Sequence, residues 1–262
     1  MPLDIDRFAH LASPIQRWDP RFKTFSLGLF ILGVALIKAI PLSAAALIAA
    51  LLLVWMAGLP AHFVAGGVKW VLIFLLPFFL IMPLSYPGEP AFRIVGLPFA
   101  WEGLRLAMLI VLKAVAIVLT AYAIFGSSRF DISMLALQRL KCPKIIVQML
   151  LFTYRYVFVF LAEMRRMDTA MAARGFIKRA DRRTLHVVGN FIGTLLIRSF
   201  ERTERIYKAM LSKGYQGEFH SLVSFAADGS DWFKAAAALL VAAMLFGADV
   251  LGVFRPAVLG WY

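Results

Sequence analysis

Residues 25–58 read FSLGLFILGVALIKAIPLSAAALIAALLLVWMAG, and Lys38 is the one charged residue among those 34 positions. A helix that crosses a bilayer needs roughly 20 apolar residues, so this stretch is too long for one straight crossing. Pro41 falls near its middle, where it offers no backbone N–H and its ring crowds the preceding turn. The stretch is therefore a tight hairpin, with one helix near 23–40 and a second near 42–58. Ala44, Ala45, Ala46, Ala49 and Ala50 keep the second helix small on several sides, which permits close contact with other helices.

Working outward, a third span is expected at about 68–85, kinked at Pro77, followed by a loop marked by Pro83, Pro87, Gly88, Pro90 and Pro98. A fourth covers about 103–125 and stops before Gly126-Ser127-Ser128, and a last one runs from Trp232 to Val253. Ile145–Ala162 and Leu185–Phe200 are apolar too, but each flows without a break into charged sequence. Periodicity alone does not decide whether they cross the lipid, lie in its surface or pack on other helices. Long helices that begin at the lipid and end in water fit best. Gly189 and Gly193 form a G-x-x-x-G pair that would let another helix approach. Leu3, Ile5, Phe8, Leu11 and Ile15 recur at near-helical spacing ahead of the first span, suiting a surface-lying segment, with a disordered tail as the alternative. Asp4, Asp6 and Arg7 come too early for a signal peptide. The fold class is all-α: a polytopic membrane protein with about five transmembrane helices and a helical domain outside the lipid.

Composition agrees. The chain is 61% hydrophobic against roughly 45–50% for soluble domains, and its mean hydropathy is +0.79. Its net charge of +13 would suggest nucleic acid in a polar chain, but nucleic-acid modules are not this apolar. The charge is also concentrated. Residues 126–220 hold 17 Lys+Arg and 7 Asp+Glu, a net of +10. A basic block between apolar segments reads as cytoplasmic under the positive-inside rule. Four crossings from a cytoplasmic N-terminus bring the chain back inside at Gly126. Three parts follow: 1–125 with the surface segment and four spans, 126–220 as a basic cytoplasmic domain, and 221–262 with the last span.

The basic block contains a duplication. Arg165-Arg166-Met167-Asp168-Thr169-Ala170-Met171-Ala172-Ala173-Arg174-Gly175-Phe176 matches Glu204-Arg205-Ile206-Tyr207-Lys208-Ala209-Met210-Leu211-Ser212-Lys213-Gly214-Tyr215 at an offset of 39 residues. In each copy a helix runs to a glycine suited to the left-handed conformation that ends helices. The preceding Arg174 or Lys213 sits in the last turn, where the carbonyl dipole favours a cation, and Phe176 or Tyr215 follows as an anchor. Ordinary C-capping explains one such copy. Two copies at equivalent places present a pair of projecting cations, suited to docking into two matching acidic grooves. No G-x-x-x-x-G-K-[ST] loop occurs, so ATP, if used, binds another subunit.

At these residues the chain resembles the transmembrane T component of energy-coupling-factor transporters, and most of all the cobalt-type branch, CbiQ. Asp19-Pro20-Arg21-Phe22-Lys23 is similar to the family's D-P-R-x-K entry to the first span, and Ala173-Arg174-Gly175 to its first A-R-G signature. Ser212-Lys213-Gly214 stands where the second signature falls. The resemblance implies a non-catalytic permease subunit of an ATP-driven metal importer in a bacterial-type inner membrane. It implies that Ala173, Arg174, Gly175, Ser212, Lys213 and Gly214 dock onto a CbiO-like pair of cytoplasmic ATPases. It also implies a CbiM-like membrane subunit that holds the substrate, so that residues 126–220 act as a coupling domain. Lys213 departs from the signature: it keeps the charge but lacks the bidentate fork of arginine. Cobalt follows from the branch alone, with nickel or a vitamin as alternatives.

No cofactor or metal site is expected. His10, His62, His186 and His220 are scattered without transition-metal spacing, and Cys142 is the single cysteine. Lys113, near the middle of the fourth span, is expected to face the bundle, and Asp249 to be interfacial. Arg155, between Tyr154 and Tyr156, suits a lipid headgroup. Glu163, Asp168, Glu201 and Glu204 read as solvated intrahelical ion pairs. A membrane enzyme acting on lipid or phosphate is the remaining alternative, without a Ser-His-Asp set or paired catalytic carboxylates to support it.

Overall fold

A computed structural model describes residues 13–85, 90–94, 97–177, 179–217 and 228–252. Helix α1 is Pro20–Leu36, α2 Ile40–Ala57, α3 Ala61–Ser85, α4 Trp101–Phe125, α5 Phe130–Arg139, α6 Lys144–Ala173, α7 Arg182–Ser212 and α8 Gly229–Val250. The all-α expectation holds. One small addition lies in the proline-marked loop, where β1 (Pro90–Ile94) pairs antiparallel with β2 (Leu97–Ala100). The proposed surface segment at Leu3, Ile5, Phe8 and Leu11 falls outside the described residues, as do Pro87 and Gly88.

Among the described residues, five helices are long and apolar enough to cross a membrane: α2, α3, α4, α6 and α8. The number matches the expectation, but the membership shifts. The first helix ends at Leu36 rather than near residue 40, because Ile37 turns extended (φ −60°, ψ 136°). Its 17 residues rise only about 25 Å. Pro41 starts α2 rather than merely separating the pair, since it sits at the N1/N2 position, where a missing N–H costs nothing. Conversely, α6 joins the spanning set, since its 30 residues include an apolar stretch long enough to count. Pro83, read as the start of a loop, lies inside α3 together with Pro77.

The described chain forms two compact units. One comprises residues 13–140 and 228–252, a bundle of α1–α5 and α8. Its core runs through Leu27, Phe30 and Val34 of α1, Leu42, Ala46, Ala50 and Val54 of α2, and Ala116 and Leu119 of α4. The fully buried alanines of α2 and α4 let these two helices make the most extensive contact in the bundle. Where α3 meets α4, a Cβ on Gly103 would collide with the Met82 carbonyl oxygen and lie 2.6 Å from Pro83 Cα. Only glycine permits that approach. Buried hydroxyls do not stay unpaired: Ser43 Oγ donates to the Ala39 carbonyl and Thr120 Oγ1 to the Ala116 carbonyl, each one turn back.

Specific contacts set the helix directions. At one end Phe22 packs on Trp232 with ring centroids 4.7 Å apart. At the other, the Asp249 carboxylate accepts from the backbone N–H groups of Lys38 (3.0 Å) and Ala39 (2.9 Å). Helices α1 and α8 therefore run parallel. Lys23, at the start of α1, donates to Ser127 Oγ (3.0 Å) and to Ser128 Oγ just beyond α4, so α4 runs antiparallel to α1. The start of α1, the end of α4 and the start of α8 therefore share one end of the bundle.

The second unit, 141–217 among the described residues, holds α6 and α7. Only Val147 is buried in α6, and no residue is buried in α7.

Candidate partner-docking site

The two repeat copies end their helices in the same way. Helix α6 stops at Ala173 with Arg174 as C-cap. Gly175 takes φ +76°, its N–H donates to the Ala172 carbonyl (2.9 Å), and the Phe176 N–H donates to the Met171 carbonyl (3.1 Å). Helix α7 stops at Ser212 with Lys213 as C-cap and Gly214 at φ +81°. There the Gly214 N–H donates to the Leu211 carbonyl (3.0 Å) and the Tyr215 N–H to the Met210 carbonyl (3.0 Å). This paired six-to-one and five-to-two bonding is the Schellman motif, which satisfies carbonyls that a helix end leaves open. A Cβ on either glycine would meet no atom within 4 Å. The glycines serve the backbone angle and relieve no crowding.

The cations are presented alike. Arg174 and Lys213 are exposed, as are Ala173 and Ser212 before them and the glycines after. Among the described residues neither cation makes an ion pair. Phe176 and Tyr215 are half-buried behind them. The second tip has an extra tie: Tyr215 Oη donates to Gln148 Oε1 (3.2 Å), and Gln148 Nε2 donates to the Gly217 carbonyl (3.2 Å). The chemistry on offer is two capped, solvated helix ends, each carrying a cation with spare donors, suited to acidic recesses on a partner.

An ion pair links the two helices of this unit. Glu163 of α6 accepts from Arg198 of α7 at 2.5 Å, a bond between helices and not within one. The expected intrahelical pairs form too, Arg166 with Glu163 at 3.9 Å in α6 and Lys208 with Glu204 at 2.8 Å in α7. Glu163, Arg198, Arg202 and Arg205 line an open polar cavity of about 230 Å³ between the two helices. Asp181 caps the start of α7 by accepting from the Thr184 N–H (2.6 Å). Hydrogen bonds from the Thr184 side chain and backbone hold its carboxyl below the usual carboxylate value. Gly189 and Gly193 meet nothing: a Cβ on either would have no neighbour within 4 Å.

Elsewhere, Lys113 finds the partner that its sequence position leaves open. Its Nζ donates to the Ala35 carbonyl (2.9 Å), the last turn of α1. Asp249, beside the end of α8, is buried, its carboxylate held by the bare N–H groups ahead of α2. Lys23 is missed by sequence reasoning as a buried group. It is 1% exposed, and only its place in the Asp19–Lys23 stretch marked it. Asp19 caps α1 from its carboxylate and pairs with Arg21 at 2.8 Å. Among the described residues no three His, Cys, Asp or Glu gather as a metal site, and His10 and His220 lie outside them.

Comparison with known proteins bears on this geometry. The family CbiQ, cobalt transport protein, matches residues 12–224. An energy-coupling factor transporter transmembrane protein EcfT from Heliobacterium modesticaldum is 25% identical over 234 residues, covering 82% of this chain and 85% of that one. An uncharacterised protein of Methanocaldococcus jannaschii is 26% identical over 223 residues, 81% of this chain and 75% of its own. The cobalt transport protein CbiQ of Rhodobacter capsulatus is 34% identical over 87 residues, about a third of either chain.

Proposed function

The chain belongs to the CbiQ family of cobalt transport proteins, and from that premise we propose that it couples partner ATPases to a membrane-embedded substrate-binding subunit through the tips of α6 and α7. The multi-pass membrane placement and the role of a transporter membrane component come with the family. The finer assignment rests on one observation: two matching Schellman caps, each with an exposed cation at its C-cap and open space around its glycine. In this reading Arg174 and Lys213 enter acidic recesses on a CbiO-like ATPase pair. Closure of that pair on ATP shifts both helices together. A CbiM-like subunit carries the ion, which is cobalt. The N-terminus is cytoplasmic, in a bacterial-type inner membrane, and the cationic tips of α6 and α7 lie on the cytoplasmic side, as the positive-inside rule favours.

The test is co-purification of the full chain with its ATPases. Arg174→Glu combined with Lys213→Glu is expected to weaken docking by on the order of 100-fold or more, since each lost charge pair becomes a repulsion. Membrane insertion and the melting of the bundle should not change. Normal assembly and normal ATP-driven cobalt uptake by the double variant would overturn the assignment.

A further inference from the structure

A cavity of about 330 Å³ opens on the side of the bundle between α1, α2 and α8, near the lower end of the roughly 300–1,000 Å³ of ligand sites. Its floor includes Trp18 (3% exposed), Leu27 and Phe30. Its rim includes Leu52, Phe233 and Val241, all exposed. Lys234 is the single charged residue of the lining. Its pairing with Asp231 is stretched to 4.0 Å, and Asp231 is occupied in the cap of α8, where its other oxygen accepts from the Asp228 N–H. The ammonium therefore keeps donors to spare.

The position of the cavity narrows its occupant. It lies at the end of the bundle where α1 and α8 begin and α2 finishes. Trp55 and Trp232 are exposed on the helices around that same end, and exposed tryptophans of spanning helices gather at the level of lipid headgroups. A slot with apolar walls, open sideways and carrying a cation at headgroup depth, is complementary to an amphiphile with an acyl tail and an anionic head. We propose that this cavity is a binding site for one anionic phospholipid, its acyl chain laid between α1, α2 and α8 and its phosphate against Lys234. The multi-pass placement suffices for this, and the site would exist with either orientation of the chain and with or without ATPase docking at the helix tips.

Native mass spectrometry of the delipidated full chain, titrated with phosphatidylglycerol or phosphatidylcholine, tests the assignment. The first tight adduct is expected to favour phosphatidylglycerol about fivefold, the weight of one cation near an anionic surface. Lys234→Gln should erase that preference while leaving weak binding of both lipids. Ala237→Phe, which fills the cavity from an exposed lining position, should abolish the tight adduct for both. Equal retention of both lipids by the unaltered chain, or a preference that survives Lys234→Gln, would overturn the site. So would efficient crosslinking of a cysteine at Val241 to a partner membrane subunit in the intact assembly, because a protein helix would then fill the slot.

Discussion

The bundle and the α6–α7 unit solve the same problem in opposite ways. In the bundle, charged groups are consumed internally: Lys23 ends on two serines, Lys113 on a carbonyl, and Asp249 on two backbone N–H groups. In the α6–α7 unit almost nothing is buried, and the ion pairs sit in the open. A folded chain seldom leaves two helices of 30 and 31 residues without a core of their own, because burial is what offsets their ordering entropy. The difference lies in where burial comes from. The bundle has a buried core of its own, whereas the second unit is a pair of struts whose faces this chain leaves uncovered, which accords with the docking role proposed above.

The comparison breaks most sharply at Asp249. If the bundle depends on internal satisfaction of polar groups, Asp249→Ala strands two backbone donors ahead of α2, Ala39's buried and Lys38's partly so. At about 1–3 kcal/mol for each unsatisfied group, this should be the largest stability loss of any single change discussed here. Thermal unfolding of the purified chain is the measurement. A melt within a degree or so of the unaltered protein would mean that water or lipid already serves those donors.

The same contrast explains what could be read in advance. The repeat, its caps and its cations were legible because helix ends are written locally, in a glycine and the residue before it. The hairpin of α1 and α2 was legible from hydropathy and Pro41. The contacts that close the bundle were not. Lys23 meets Ser127 at a separation of 104 residues, and Asp249 meets Lys38 at 211. Neither leaves any period in the sequence. Helical spacing offers Glu163 the intrahelical pair with Arg166, which it makes at 3.9 Å, but nothing local announces the shorter bond from Arg198, 35 residues away. The expected end of α1 falls too late because residues 37–40, apolar apart from Lys38, read alike whether helical or extended.

A smaller effect separates the two helix tips from each other. Gly175→Ala and Gly214→Ala should each cost roughly 1–2 kcal/mol for an L-residue in the left-handed conformation, with no steric addition, since neither Cβ meets a neighbour. The consequences should differ. The second tip stays tied to α6 through Tyr215 and Gln148, so amide exchange at Tyr215 should rise less than at Phe176. Equal rises would show that the Tyr215 bond contributes nothing to positioning, and that the tips are mechanically equivalent despite the Arg-to-Lys difference.

The smallest expected change is at Asp181, and it tests whether the second unit is held by local bonds alone. Its folded-state carboxyl is depressed by the Thr184 hydrogen bonds, so its contribution is present above the ordinary carboxylate value and is lost as pH falls through the depressed one. Asp181→Ala should therefore speed amide exchange at Thr184 near neutral pH, and the difference from the unaltered chain should vanish under strongly acidic conditions. The melt of the bundle should not respond at either pH, because Asp181 is exposed and belongs to the other unit. A change that spread into α1 or α2 would mean that the struts and the bundle fold as one cooperative body, and the contrast between them would fail.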